Sequence, residues 1–492
     1  MLTAVVGEMA TSDGGGDGAL AGFFDLDEHD TSVSTEVLAG VTTFLTMSYI
    51  VVVNPNVLAA GENAPGIAVQ GLSRPAVVSM LAVITILAAA AATLIMALYA
   101  NRPFAQAPGL GLNAFFAFTV VGALGVPWQT ALAAVVVEGV IFVLLTAVGA
   151  REYIIRVFPE PVKLAVGSGI GLFLTIIGLQ AMNVVVDDPA TLLTLGGVAS
   201  DPVAVLSVFG LFVTFALYAR GVRGSIVVGI VLTTLAGMAV TFVGLVEPGT
   251  VAPAFVRNGG LDFSLAFAPR YDITPLAGAF VSGLSGIESF SFALVVFTFF
   301  FVDFFDTAGT LVGVGQAGGF LDDDGDLPGI DRPLMADAVG TTVGGALGTS
   351  TVTTYIESAS GVEEGGRTGL TALTVAVLFV FALALVPLAT AVPLYASHIA
   401  LVVIGVVMLR NVVEIAWDDV TDAVPAGLTI LVMPFTYSIA FGIAAGIISY
   451  PVVKLAAGKA GDLRPGHYVL AGAFVVYFFV RTSGLLSGQL SF

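Results

Sequence analysis

Residues 293–315 read ALVVFTFFFVDFFDTAGTLVGVG. The run is far longer than a buried strand and does not alternate, yet it carries two carboxylates, Asp303 and Asp306, and no basic residue. A helix of about 20 apolar residues spans a bilayer, because backbone polar groups in hydrocarbon must pair within their own segment. An ionisable side chain at that depth costs about 2.5–3.5 kcal/mol on insertion scales, and it normally faces the bundle interior or a water-filled cavity. Spaced i, i+3, the two Asp share one face of the helix. The stretch is therefore a spanning helix with a working face.

The rest of the chain agrees. Its 492 residues are 57% hydrophobic and 10% charged, against roughly 25% charged in soluble domains. So few charges cannot cover a soluble surface, and the fold class is an all-α polytopic membrane protein. With no Cys, disulfides, thiolate metal sites and thiol nucleophiles are excluded. His29, His398 and His467 lie far apart without ligand spacing, so no metal and no cofactor are expected. Residues 1–35 lack a basic n-region and read as an acidic cytoplasmic tail rather than a cleaved signal. The net charge is −19, Lys is confined to Lys163, Lys454 and Lys459, and Asp crowds loops such as LDDDGDLPGID (321–331). That pattern keeps surfaces hydrated in concentrated salt, where charge repulsion is screened within a few ångströms. It points to a halophilic, archaeal source.

Hydropathy marks about fourteen candidate spans. Among them are 104–124 (third), 293–316 (eighth), 334–347 (ninth), 350–362 (tenth), 425–450 (thirteenth) and 467–482 (fourteenth). The third contains APGLGLN and the tenth begins in GTSTVTTYIES, so both are interrupted. Paired interruptions in corresponding places of two halves point to an inverted-repeat transporter with its site near the midplane. The repeats run over 36–250 and 291–492, joined by an extracellular connection at 251–290. With the amino terminus inside, Arg102, Arg151, Arg156, Lys163, Arg220, Arg223, Arg332, Arg367, Arg410 and Arg481 fall inside, and the other six basic residues outside. The positive-inside rule then puts both termini in the cytoplasm of a multi-pass plasma-membrane protein.

A third carboxylate, Glu357, follows the hydroxyl-rich run Thr349, Ser350, Thr351, Thr353 and Thr354. TSTVTT suits a short extended piece lining a cavity, with a half-helix starting near Tyr355 or Ile356 and Glu357 in its first turn. In APGLGLNAFFAF, Pro108, Gly109 and Gly111 break the chain, Asn113 opens a half-helix, and Phe115, Phe116 or Phe118 could stack on a flat ring. Glycine pairs such as Gly309/Gly313 read as close-packing faces. The glycine runs lack the strand–loop–helix setting of a dinucleotide site. Two Asp on one helix do not make an aspartyl protease, and one polar cluster does not line a channel. The pattern is not that of an enzyme.

FFDLDEHDTSVSTEVLAGVTTFLTMSYIVVVNP (23–55), NRPFAQAPGLGLNAFFAFTVV (101–121), FVDFFDTAGTLVGV (301–314), GTSTVTTYIESASGVEEGGRTGLTAL (348–373) and WDDVTDAVPAGLTILVMPFTYSIAFGI (417–443) follow one another in order. Together they resemble the azaguanine/purine permease branch of the nucleobase–cation symporters. The resemblance implies two inverted seven-span repeats, with short strands in segments three and ten. It also implies a core domain (36–150 and 291–390) and a gate domain (151–250 and 391–492). It implies proton symport of adenine, guanine or hypoxanthine by alternating access, with Asp303, Glu357, Asn113, Thr353, Thr354 and Phe116 binding substrate. Asp303, Asp306 and Glu357 would couple the proton. The uracil branch carries a Glu with a His one turn later, where this chain has Asp303 and Thr307. Uracil, xanthine or an anion as cargo, sodium as the coupling ion, and a homodimer remain open on this reading; nucleic acid does not enter it.

Overall fold

The computed structural model describes residues 17–61, 65–149, 158–262, 269–285, 289–322 and 327–482. Residues 1–16 of the acidic tail, 323–326 of the Asp-rich loop, and Arg151 and Arg156 of the orientation argument lie outside them. Among the described residues, ten helices are long and apolar enough to cross a membrane, with Leu110–Ala123, Val420–Thr436 and Pro465–Val476 as shorter apolar ones. Proline sits in the first turn of Arg74–Ile95, Glu160–Ala181 and Pro202–Ala219, where its missing N–H costs nothing. Polar side chains cap other starts: Ser32 accepts from Thr35 N at 3.2 Å, and Thr368 from Leu370 N at 3.3 Å.

The expected interruptions are present. The third segment is a strand, Gln106–Pro108, followed by helix from Leu110 that widens into a π-helix over Phe115–Ala123. The tenth is a strand, Val352–Thr354, followed by the short helix Ser358–Glu363. The half-helix therefore begins slightly later than expected, and Glu357 stands at its N-cap rather than inside its first turn. The strands pair antiparallel, Gln106 with Thr354, Ala107 with Thr353 and Pro108 with Val352.

The expected thirteenth span, 425–450, is two helices. Val420–Thr436 continues past Pro434 and stops at Tyr437, which takes a left-handed conformation (φ 51°), and Ile439–Ala456 starts after it, capped by Ser438. These two are the thirteenth and fourteenth spans. The expected fourteenth, 467–482, lies in a further helix, Pro465–Thr482, which runs back antiparallel to Ile439–Ala456. Ring pairs of Tyr450 with His467 and Phe441 with Phe478 fix that direction.

Packing divides the helices into two groups. Spans one (Val33–Leu58), two (Arg74–Ala100), four (Trp128–Ala147), eight (Ser289–Gly318), nine (Asp331–Leu347) and eleven (Gly369–Ala391) pack on one another around the strand pair, while five to seven (Glu160–Ala181, Pro202–Ala219, Ser225–Phe242) and twelve to fourteen (Leu394–Glu414, Val420–Thr436, Ile439–Ala456) form a second set of contacts. Polar ties between the groups include Thr119 Oγ1 donating to the Tyr437 carbonyl at 2.6 Å and an ion pair of Arg223 with Glu364.

Inside the first group, Glu36 is fully buried on the first span and binds the start of the eleventh. Its carboxylate accepts from the backbone N–H groups of Arg367 (2.8 Å), Thr368 (3.3 Å) and Thr371 (3.1 Å), and from Thr371 Oγ1 (2.6 Å). These donors would otherwise be orphans of a buried helix end. Hydrogen bonds to a charged group contribute about 1.5–3 kcal/mol, and removing the acceptor strands several donors together. Glu36→Ala should therefore lower the thermal midpoint of the detergent-solubilised protein by several degrees, with Glu36→Gln falling between it and wild type. Size-exclusion monitoring of heated samples checks this, and an unchanged Glu36→Ala midpoint would contradict it.

Candidate functional site

A chain that leaves the helix inside an apolar bundle must find new partners for its backbone groups. Here the two interrupted segments supply each other. Gly109 N donates to Thr351 O at 3.0 Å, and Tyr355 N donates to Ala105 O at 2.9 Å. Ala105 N donates to Ser358 Oγ at 3.0 Å, and Tyr355 Oη to Pro108 O at 2.5 Å. Gly348, at φ 105°, turns the ninth span into the tenth-segment strand through a conformation that a side chain would strain.

Side chains of three helices then grip the strand and the residue before it. Thr351 Oγ1 donates to Glu138 of the fourth span at 3.0 Å. The Val352 carbonyl accepts from Thr341 Oγ1 of the ninth at 2.6 Å. The Thr353 hydroxyl meets Thr307 Oγ1 of the eighth at 2.7 Å. Thr354 donates both its N–H and its hydroxyl to Asp337 Oδ1 at 2.8 Å. Asp337 also accepts from Gln106 Nε2 (2.9 Å) and Thr307 Oγ1 (2.8 Å).

The candidate residues fall into two sets. Asp303, fully buried, lies 3.3 Å from Thr341 Oγ1 and 3.5 Å from Thr307 Oγ1, hydroxyls whose protons go at shorter range to the Val352 carbonyl and Asp337. Thr353 and Thr354 are 2% exposed and committed to Thr307 and Asp337. Asn113, also buried, accepts from Ser350 Oγ and reaches the Pro108 carbonyl at 3.4 Å, tying the two interrupted segments together. Phe116 is buried against Phe299, ring centroids 6.3 Å apart.

Asp306 and Glu357 differ, because both are only half-buried. They lie within electrostatic range of each other. One turn past Asp306, Gly309 is exposed, and a Cβ built on it would meet nothing within 4 Å. A Cβ on Gly313 would lie 3.4 Å from Ile356 Cδ1, so this face of the eighth span looks toward the start of the tenth-segment half-helix. Gly309 thus leaves room near the two carboxylates, while Gly313 meets Ile356 at contact distance. Tyr49, at the kink of the first span, donates its hydroxyl to Glu357 Oε1 at 2.6 Å and fixes that side chain. No Lys or Arg among the described residues pairs with either acid.

Four participants escaped the sequence reading. Glu138 is a lone acid in an apolar span, and the desolvation argument applied to Asp303 would have found it. Asp337 sits one helical turn and a half from Asp331 and Arg332, so it read as the polar end of a span. Tyr49 and Gln106 carry no charge, and only the fold brings them to the acids.

The chain's likeness to known proteins runs along the same elements. A family model described as "Permease family" matches residues 34–445. The adenine permease AdeP of Escherichia coli is 40% identical over 95% of this chain and 97% of its own length. The guanine/hypoxanthine permease PbuG of Bacillus subtilis is 41% identical over 93% of this chain and 98% of its own. Among solved structures, the transmembrane domain of the cyanobacterial bicarbonate transporter BicA superposes with a TM-score of 0.56 at 14% identity, covering 84% of this chain and 97% of that domain. That last likeness speaks for the fold alone. With a family match over most of its length and the strand-paired interrupted segments in place, this chain belongs to the permease family, whose members are transporters rather than enzymes.

Proposed function

We propose that the protein imports purine nucleobases (adenine, guanine and hypoxanthine) by proton symport through alternating access. The observation that carries the reading is the pair Asp306 and Glu357, both half-buried and within electrostatic range of each other near the uncrowded Gly309, with no cation paired to either among the described residues. The names of the relatives supply the cargo class. A carboxylate matches a purine edge with adjacent N–H groups through paired hydrogen bonds, and the charged acceptor makes them stronger than neutral ones. Glu357, oriented by Tyr49, is assigned that role, and Asp306 the neighbouring one. Asp303, Asn113, Thr353 and Thr354 hold the floor of the site, and Phe116 packs behind it.

Titration of one facing acid links proton to cargo, because a neutralised site crosses the dry barrier at lower cost. The group around the strand pair then moves as a core against the gate formed by spans five to seven and twelve to fourteen. The ties Thr119–Tyr437 and Arg223–Glu364 cross that boundary and must break or re-form in the cycle. Both termini are assigned to the cytoplasm, on the positive-inside rule. The acid excess suits an exterior of concentrated salt, where sodium is the rival coupling ion.

Glu357→Gln, Asp306→Asn and Asp303→Asn should each abolish uptake of labelled hypoxanthine at matched membrane abundance. Tyr49→Phe should keep transport at reduced affinity, since it frees the Glu357 carboxylate without removing it. Near-normal uptake by an acid variant rejects the role given to that residue. In vesicles, an imposed pH gradient without sodium should drive accumulation. Unlabelled adenine or guanine should compete, while uracil and ascorbate compete poorly. Accumulation that needs a sodium gradient overturns the proton, and dominance of uracil or xanthine overturns the purine.

A further inference from the structure

Glu138 lies in the middle of the fourth span, TALAAVVVEGVIFVLLTAVG (130–149), and is fully buried. Its Oε1 accepts one hydrogen bond, from Thr351 Oγ1 at 3.0 Å, and its Oε2 is buried without any hydrogen-bond partner. Asp303 of the eighth span and Asp337 of the ninth lie within electrostatic range of it. The other elements packed against the fourth span, Phe280–Gly283 and the π-helix Phe115–Ala123, carry no titratable side chain.

Three carboxylates with no cation paired to them among the described residues cannot all remain ionised in an apolar interior, so the cluster must hold protons. Hydrogen bonds decide where. Asp337 accepts four, from Gln106 Nε2, Thr307 Oγ1, Thr354 N and Thr354 Oγ1, and is the best-solvated anion of the three. Asp303 has two long contacts, from hydroxyls whose single protons already serve the Val352 carbonyl and Asp337 at shorter range, so it and Glu138 are the poorly solvated acids of the cluster. Glu138 accepts one and leaves an oxygen bare. A bare ionised oxygen is the costliest arrangement available to the cluster, and a neutral carboxyl is the cheapest that fits it.

We propose that Glu138 is a proton-binding site of the transport cycle, separate from the acids that face the open space. The inference rests on the proton-symport reading above. In the balance, one proton from the outer solution adds to Oε2 of the Glu138 carboxylate, travels with the core, and leaves to the inner solution; no other bond changes. Thr351 joins Glu138 to the strand that backs the site, so occupancy of the proton is felt at Val352–Thr354.

The test separates exchange from accumulation in proteoliposomes. Glu138→Gln keeps an oxygen acceptor for Thr351 but cannot give up a proton. It should retain hypoxanthine exchange within about twofold of wild type and lose pH-driven accumulation by about tenfold or more. Accumulation at the wild-type level by Glu138→Gln would mean the proton is structural and overturns the proposal. Loss of exchange as well as accumulation, in folded protein, overturns it in favour of a packing role. A wild type that does not accumulate under a pH gradient removes the proton reading itself, which separates that failure from this one. Infrared spectroscopy keeps the proposal testable should Glu138→Gln not fold. Wild type should have a protonated-carboxyl band that Thr351→Val, which removes the hydroxyl donor, moves to higher frequency. Absence of such a band, or no shift in Thr351→Val, contradicts the assignment.

Discussion

Everything in this site depends on one constraint: a backbone that leaves the helix inside an apolar bundle must be paired elsewhere. Gln106–Pro108 and Val352–Thr354 meet that demand by pairing with each other, although nearly 250 residues separate them in sequence. Neither interrupted segment is tolerable alone, since unsatisfied N–H and C=O groups in hydrocarbon cost several kcal/mol each. The pairing brings the third and tenth segments together, and with them the fourth, eighth and ninth helices whose side chains hold the strands.

The second governing feature is a concentration of buried acid with no base paired to it among the described residues. Glu138, Asp303 and Asp337 surround the strand, while Asp306 and Glu357 look outward from it. Hydroxyls make this arrangement hold. Thr307, Thr351 and Thr354 each donate to a carboxylate and Thr341 to the Val352 carbonyl, so the β-branched threonines serve both strand geometry and anion solvation. An ion-paired site would be locked by its own charges. A site solvated by hydroxyls leaves its carboxylates free to gain and lose protons as their surroundings change.

Much of this was legible in the chain. Desolvation cost singled out Asp303, Asp306 and Glu357, and the broken runs APGLGLN and TSTVTT located the crossing. What hydropathy could not supply was direction. Asp303 and Asp306 share a helix face by spacing, yet only the packing around them leaves the first fully buried and the second half-buried. Gly309 and Gly313 read as a packing face, because a glycine left bare by its neighbours looks the same in sequence as one crowded by them. The thirteenth span was misdrawn for a similar reason. Pro434 stays within the helix, and the break falls at Tyr437, whose left-handed backbone carries no compositional mark.

The claim most central to this account is that the face of Asp306 and Gly309 opens onto the space that substrate occupies. The chain contains no cysteine, so Gly309→Cys introduces a single thiol, and its Cβ meets no neighbouring atom within 4 Å. Labelling of that thiol in proteoliposomes by a water-soluble maleimide, with and without hypoxanthine, tests the claim directly. The account expects ready modification that hypoxanthine slows and uracil does not. An unreactive thiol, or modification at the same rate with and without hypoxanthine, would contradict it.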